Sequence, residues 1–521
     1  MALTNGQEKQ ALATTIEKIA DAARGAVDGW DFKMYIFGTL FYRYLSEYIA
    51  TRVNKNEWDA GNADFDYAKL NDEDIKDDIR EDIIREFGFF LYPSELFCNV
   101  VKNAQTDVEN LNVNLDKALK NIEKSSIGHE SEKCFSGIFD DFDVNSSKLG
   151  ATVLKRNARM RDILIAMSEL NLGDFDDTTS DVLGDAFEMV AGYYAKNAGR
   201  SGGEYFTPAE VSMLVAKLSL DGRTHINKVY DPTCGSGSLL LKAAKIIGDK
   251  NIDCGYFGQD NNLTSSRLCK LNMFLHHIPY NKFKVYCDDT LTAPQHWDDQ
   301  PFDMIVSNPP YSVKWIGNDD PTLINDPRFA PAGVLAPKSK ADFAFILHTL
   351  AWLSNQGTAT IVCFPGIFYR SGAEQKIRKY LIDNNFIDAI IQLPENLFYG
   401  TSISTCLLRL KKNKKDNKVL FVDASKEFEK DTNNNRLSDE NIENIFNIVE
   451  KREDVEYVAK LVDYDDIVKN KYNLSTSTYI EKPSNKKDID INALNKEIEE
   501  IVTRENKLRA EIDEIIKEIE G

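Results

Sequence analysis

The amino-acid sequence predicts an α/β fold, a doubly wound mixed sheet with a helical domain before it and a coiled-coil helix after it. Three observations predict this. From about residue 204 to 411, seven short runs rich in β-branched and aromatic residues alternate with helix-patterned stretches. That alternation implies a mainly parallel sheet covered on both faces. Before it, apolar residues recur at three- and four-residue spacings, the period of helices. After it, the chain closes on a narrow 3,4 apolar stripe, the seam of a coiled coil.

Bulk properties narrow the class. At 521 residues the chain has room for two or three cores. Its 42% hydrophobic and 28% charged content is that of a soluble globular protein. No apolar run approaches the ~18 residues of a membrane helix. The opening MALTNGQEKQALATTIEKIA lacks a basic region followed by an apolar one, so a cytoplasmic location without membrane contact is expected. The eight cysteines never fall in C-x-x-C spacing and the six histidines are scattered, which indicates neither a disulfide framework nor a metal site. A net charge of −20, from 63 basic and 83 acidic residues, argues against a chain that grips duplex nucleic acid alone. A nucleic-acid substrate stays open if a basic partner or a local basic cluster supplies the grip.

Residues 1–165 read as a helical domain. DFKMYIFGTLFYRYLSEYIA sets Tyr35, Leu40, Phe41, Tyr44, Leu45 and Tyr48 on a broad face, and the acidic stretch 71–86 reads as a solvated helix face. Residues 166–420 hold the sheet, with strands in INKVYDP, CGYFGQD, FKVYCDD, FDMIVSN, TATIVCFP, IDAIIQLP and STCLLRLKK. Residues 421–485 are mixed and Asn/Lys/Asp-rich, and read as a linking region. Residues 486–521 carry Ile491, Leu494, Ile498, Ile501, Leu508, Ile512, Ile515 and Ile519, with Glu505 in one seam position. A hairpin with an earlier helix would cover this stripe. Docking on a partner's helix suits its narrowness better.

Parallel sheets bind ligands at the carboxyl ends of their strands, so strand ends carry the functional reading. The first strand ends in Asp231-Pro232-Thr233-Cys234-Gly235-Ser236-Gly237-Ser238, followed by an apolar helix start. Glycines there permit a tight turn and a close approach, and the helix offers free N–H groups to an anion such as a carboxylate. A dinucleotide loop would read G-x-G-x-x-G with an acid ~20 residues later, a pattern not met here. The second strand ends at Gly258-Gln259-Asp260, a place where a carboxylate takes ribose hydroxyls. The third ends at Cys287-Asp288-Asp289-Thr290, where a carboxylate suits an adenine amino group. Singly, each acid would be a turn former or helix cap; three successive strand ends point to one shared ligand. Upstream, Thr207-Pro208-Ala209-Glu210 spells a capping box with Thr207 as N-cap and Pro208 first in the helix. Tyr205 and Phe206, just before it, are placed for a pocket wall.

The fourth strand stops at Asn308-Pro309-Pro310-Tyr311. An amino group on an sp² carbon, such as adenine N6, is a poor nucleophile because its lone pair is delocalised. The Asn308 side-chain oxygen and the Pro309 carbonyl can accept its two N–H bonds and draw the nitrogen toward tetrahedral geometry. The prolines hold the turn rigid. Tyr311 offers a face to a planar base drawn from its stack, a contact worth roughly 1–3 kcal/mol.

Together these motifs resemble those of amino-group methyltransferases that use S-adenosyl-L-methionine. NPPY is similar to their catalytic motif, DPTCGSG to their cofactor loop, and EYFTP to a cofactor-contacting motif that precedes it. With VDGWDFKMYIFGTLFYRYLSE, KADFAFILHTLAWL, FPGIFYRSGAEQKIRKYLI and the C-terminal helix, almost the whole chain resembles the modification subunit (HsdM) of type I restriction–modification systems. The resemblance implies a Rossmann-like class I methyltransferase core that methylates adenine N6 in DNA. It also implies a separate specificity subunit that reads the sequence and binds two modification subunits, and a restriction subunit that joins them. By position, Asn308, Pro309, Pro310 and Tyr311 would hold the target adenine. Asp231, Gly235, Ser236, Gly237 and Ser238 would shape the cofactor loop, with Asp260 at the ribose and Asp289 near the cofactor's adenine. Glu204, Tyr205, Phe206, Thr207, Pro208 and Ala209 would face its methionine end. Asp288 competes with Asp289 for one role; the family's Asp-Thr/Ser-Leu pattern favours Asp289. Cys234 is given no chemistry, and His348 reads as core.

Two alternatives stand beside this. One keeps the chemistry and changes the substrate to a protein glutamine amide or an RNA base amino group; such families are shorter and lack both YFTP and the coiled coil. The other is a catalytically inactive assembly scaffold, which loss of Asn308, Tyr311 or the glycines would mark. The segment after NPPY, WIGNDDPTLINDPRFAPAGVLAPKSKAD, has four prolines and few helix signals. It is expected to be mobile without DNA and to close over a flipped base.

Overall fold

The computed structural model describes residues 14, 29–170, 184, 187–191, 207–398, 402–430, 434–481 and 491–521. Glu204, Tyr205 and Phe206 lie outside the described residues. The helical region opens with α1 (Gly29–Asp59), which buries Tyr35, Ile36, Phe37, Leu40, Phe41, Tyr42, Tyr44, Leu45 and Ile49. Burial on nearly all sides makes it a core helix. In α2 (Asp77–Phe87), Ile83, Ile84 and Phe87 are buried while the first-turn acids face water, as the acidic stretch suggests. α3 (Phe97–Ala104), α4 (Leu111–Ser125) and α5 (Val153–Ser168) pack around α1 and one another.

After α6 (Ala209–Leu220), the chain alternates strands with crossovers. β1 (Ile226–Asp231), α7 (Ser238–Ile247), β2 (Ile252–Asp260), α8 (Leu263–Leu275) and β3 (Phe283–Cys287) lay down three parallel strands, moving outward. The chain then returns to the other side of β1 with β4 (Phe302–Ser307) and β5 (Leu353–Cys363), also parallel. β5 follows α9 (Asp342–Trp352) directly. After α10 (Ala373–Asp383) come β6 (Ile387–Gln392) and β7 (Cys406–Lys411), the latter inserted antiparallel between β5 and β6. The strand direction of winding reverses between β1 and β4, which is where such sheets open a ligand crevice.

The sheet extends beyond the sequence reading. β8 (Val419–Asp423) pairs parallel with β6; past a small ribbon of β9 (Glu429–Lys430) and β10 (Asn435–Arg436), α11 (Asp439–Lys451) leads to β11 (Ala459–Val462), antiparallel to β8. The full order is β11-β8-β6-β7-β5-β4-β1-β2-β3. Within 421–485, the described residues up to Ile480 therefore extend the core instead of linking it, and a boundary at 420 cuts β8. β8 and β11 are five and four residues long, too short for their period to stand out among surface Asn, Lys and Asp.

The helical region shares its core with the sheet. Phe41 and Phe135 approach Phe274 of α8 with ring centroids 5.7 and 5.0 Å apart, and Arg267 of α8 pairs with Asp140 and, at 3.0 Å, with Asp141. The segment after NPPY is also packed: it makes three short 3₁₀ turns (Gly317–Asp319, Leu323–Asn325, Ala330–Ala332) and along its length buries Trp315, Leu323, Phe329, Leu335 and Ala336. That differs from the loose segment expected of its prolines, because four large apolar side chains find core positions.

Glu481–Gly521 forms a second unit. Its helix α12 (Ile491–Glu520) exposes Ile498, Ile501, Leu508, Ile512, Ile515 and Ile519; the side chains of Ile491 and Leu494 lie outside the described ones. Among the described residues no helix is long and apolar enough to cross a membrane, and all eight cysteines are free.

Phe274→Ala is expected to cost about 3–5 kcal/mol. Since one apolar cluster spans both regions, urea unfolding should show helical region and sheet shifting together. An unshifted transition for either would count against a shared core.

Candidate active site

β1 and β4 lie side by side with Val229 opposite Met304 and Tyr230 opposite Ile305, so Asp231 and Asn308 leave the sheet at one edge. A 2.9 Å hydrogen bond between the Thr233 and Ser307 hydroxyls ties the two strand ends. Asp231 is fully buried. Its Oδ1 accepts the Thr233 N–H at 2.9 Å, while Oδ2 is buried without a partner among the described residues. Burial pushes this carboxyl up to about 8, against the pull of the Thr233 N–H and with help from the Asp260 charge.

The glycine loop then turns through left-handed Gly235 (φ 51°) and Gly237 (φ 78°), conformations that side chains resist. A Cβ on Gly237 would also lie 2.7 Å from Cys269 Sγ. Asp260, at the end of β2, holds the loop from the side: its Oδ2 accepts the Gly235 N–H at 3.0 Å and its Oδ1 the Asn262 N–H at 2.9 Å. Burial raises its carboxyl above the usual range. Asn272 of α8 donates to the Ser236 carbonyl at 2.8 Å, and Ser238 begins α7.

At the end of β3 the two aspartates separate into different roles. Asp288 is spent on the loop: its Oδ1 accepts the Asp289 N–H at 2.9 Å and its Oδ2 a Gln295 N–H at 3.0 Å. Among the described residues Asp289 accepts only the Leu291 N–H, at 2.8 Å through Oδ1. Asp289 is thus the one with an oxygen to spare. The Thr290 hydroxyl donates to the Pro232 carbonyl at 2.6 Å, joining this turn to the glycine loop.

Asn308 and Tyr311 are half-buried and Pro309 is buried. The Tyr311 hydroxyl donates to Asn308 Oδ1 at 2.9 Å, and Asn308 Nδ2 donates to the Thr207 hydroxyl at 2.9 Å. Thr207 is therefore not the helix cap that the sequence suggests: α6 starts at Ala209 with Pro208 as its cap residue, and the Thr207 hydroxyl orients the amide of Asn308. An amide oxygen has two lone pairs, so Asn308 Oδ1 keeps one beside the Tyr311 hydroxyl. The residue after Tyr311, Ser312, is left-handed (φ 52°), and its N–H donates to Asp342 Oδ1 at 3.2 Å.

The structure thus brings Asp231, Gly235, Ser236, Gly237, Ser238, Asp260 and Asp289 to one edge with Asn308, Pro309, Pro310, Tyr311 and Thr207. Several residues at this edge escape sequence reasoning: Thr233, Ser307, Asn272, Gln259 and Asp342. Gln259 is buried and donates to the Asp288 and Ala293 carbonyls, both at 3.0 Å. Its place between Gly258 and Asp260 was the one available signal. His348 is core, as its apolar face suggests. Among the described residues, no group of three or more His, Cys, Asp or Glu side chains is placed to hold a metal ion.

Comparison with known proteins identifies the family. A family profile described as N-6 DNA Methylase matches residues 178–488, and one described as HsdM N-terminal domain matches residues 12–167. The chain is 43% identical over 530 aligned residues to the MpnII type I restriction enzyme methylase subunit of Mycoplasma pneumoniae, covering 99% of this chain and 96% of that one. It is 34% identical to the MjaVII methylase subunit of Methanocaldococcus jannaschii, over 67% of this chain and 61% of the other. A crystal structure of a type I restriction-modification methyltransferase subunit from Streptococcus thermophilus superposes with a TM-score of 0.80 at 34% identity, covering 91% of this chain and 100% of that one. The chain belongs to the N-6 DNA methylase family, among the methylase subunits of type I restriction enzymes.

Proposed function

We infer that this chain is the methylating subunit of a type I restriction–modification complex, transferring a methyl group to adenine N6 in DNA. The observation that carries the reading is one sheet edge shared by the Asn308–Tyr311 turn and the Asp231–Ser238 loop. The family and the relatives leave a protein amide or an RNA base without an observation in its favour. The intact pairing of Asn308 with Tyr311 and Thr207 weighs against an inactive scaffold.

S-adenosylmethionine supplies an electrophilic methyl group on a positively charged sulfur. The residues present fit such a ligand. Among the described residues Asp231 offers a buried oxygen without a partner, suited to a cation, and the left-handed glycines turn the backbone tightly at the edge where the ligand would lie. Asp260 and Asp289 retain acceptor capacity for hydroxyl and amino hydrogens. On the other side, Asn308 Oδ1 and the Pro309 carbonyl would accept the two N6 hydrogens, localising the nitrogen lone pair. Tyr311 would lie against the flipped base. Neither acceptor needs to be a strong base, since they act by orienting the amine, not by deprotonating it.

The partner set follows the same reading. An excess of 20 negative charges leaves DNA affinity to a basic partner, here a specificity subunit that binds two such chains, with a restriction subunit completing the nuclease. The exposed isoleucine stripe of α12 supports docking on a partner's helix. A cytoplasmic site of action accords with free cysteines and a DNA substrate.

Asn308→Ala is expected to lower turnover by about 10²–10³-fold, the scale of losing one preorganised polar contact to the reacting group, with cofactor affinity unchanged. Single-molecule sequencing for N6-methyladenine in cells carrying the variant checks it. An unchanged adenine pattern would sink the DNA reading. A second expectation concerns Asp231. Its folded value of about 8 lies above the unfolded ~4, so its stability contribution is greatest at low pH and is lost as pH rises between them. Without cofactor, Asp231→Asn should therefore gain in melting temperature relative to wild type from pH 5 to 8. Its cofactor affinity should fall by at least about tenfold, read by calorimetry with S-adenosylhomocysteine.

A further inference from the structure

Arg328 lies in the segment that follows the Asn308–Tyr311 turn, yet its guanidinium is almost wholly buried, at 4% exposure for the residue. Nη1 donates to the Thr290 carbonyl and Nη2 to the Leu291 carbonyl, each at 2.8 Å. These two carbonyls belong to the turn that carries Asp289. Asp326 fixes the guanidinium from behind, accepting from Nε at 3.0 Å and from Nη2 at 2.7 Å. The planar group lies over the rings of Phe329 and Trp297, with centroids 4.7 and 5.4 Å away.

Nη1 also meets His348 Nδ1 at 3.2 Å. Since a guanidinium only donates, Nδ1 is the acceptor and the histidine proton sits on Nε2, which donates to the Tyr230 hydroxyl at 2.9 Å. Burial and the neighbouring Arg328 charge both hold His348 neutral. Tyr230 immediately precedes Asp231, and the Thr290 hydroxyl returns to the Pro232 carbonyl. The hydrogen bonds therefore run from Tyr230 through His348, Arg328 and Thr290 to Pro232, and the backbone closes the ring. Asp231 sits on the strand between its two ends.

We propose that Arg328 is a positioning residue of the methyl-transfer site, setting the Asp289 turn against the Asp231 loop, so that the segment following the target-amine turn is a structural part of the cofactor pocket. This rests on the function inferred above. The segment acts as a strut between the two halves of the site. A lysine at 328 keeps the charge but offers one point donor in place of the fork that spans two carbonyls and a histidine.

The test compares S-adenosylhomocysteine binding to the full wild-type chain, Arg328→Lys and Thr290→Val by calorimetry, with thermal melting as the check on folding. Both variants should bind about tenfold more weakly, the scale of losing one or two hydrogen bonds that involve a charged donor or a buried acceptor. In methylation assays of the assembled complex, the KM for S-adenosylmethionine should rise similarly while kcat at saturation and DNA affinity stay within about twofold. A purely structural role would lower melting temperature without this split. Folded variants with wild-type affinity would overturn the proposal, as would a fall in kcat with KM unchanged. Thr290→Val reads the ring from its other end if Arg328→Lys does not fold, and wild-type binding there would overturn it equally. If the wild-type chain binds no S-adenosyl ligand, the inferred function itself fails.

Discussion

The pairing of β1 with β4 is the constraint on which the site depends. These strands are far apart in the chain, with the β2 and β3 units between them, and they become neighbours only because the winding reverses. Val229 beside Met304 and Tyr230 beside Ile305 put Asp231 and Asn308 at adjacent strand ends. A slip of one residue in either strand would turn its side chains to the opposite face. The Thr233–Ser307 hydroxyl contact shows that the register persists past the last ladder pair, into the loops where the chemistry would occur.

Around that pairing, the molecule carries an unfavourable charge arrangement. Asp231 and Asp260 are two acids in low-dielectric surroundings, and burial raises both. Backbone N–H groups of Thr233, Gly235 and Asn262 offset part of the cost. The remainder is an unpartnered oxygen on Asp231. Such a group is costly to bury, and a strongly perturbed carboxyl at a strand end is the mark of a candidate binding site.

The helical region contributes to the site through packing. α8 carries Asn272 toward the Ser236 carbonyl on one side and Phe274 toward Phe41 and Phe135 on the other. The glycine loop is thus held between a sheet and a helix whose far face is anchored in the N-terminal core. On the opposite side, the Arg328 ring braces the Asp289 turn. The glycine loop and the Asp289 turn are thus attached to different hydrophobic clusters.

The sequence by itself determined the strand–helix alternation, the acids and glycines that end β1, β2 and β3, and the Asn308–Tyr311 turn. These are local: a short β-rich run, a Gly-x-Gly turn and a Pro-Pro stop act on their own neighbours in the chain. It also marked α12, because a narrow stripe over a long helix shows in its spacing alone. What it did not determine was who meets whom. Thr207 reads as a cap from its local pattern, and only the approach of α6 to β4 turned its hydroxyl to Asn308. Asp288 and Asp289 are neighbours in the chain, and their different hydrogen bonds, to Gln295 for one and to Leu291 for the other, arise only in the folded loop. Arg328 sits in a proline-rich stretch with no periodic signal, and its importance comes from carbonyls and a histidine contributed by other elements. Residues 421–485 read as a linker because β8 and β11 are short and show little pattern until a sheet edge supplies their hydrogen-bond partners. Backbone and capping preferences are written in adjacent residues, whereas burial, partner choice and the cost of an unpaired charge exist only once distant segments have closed around one another.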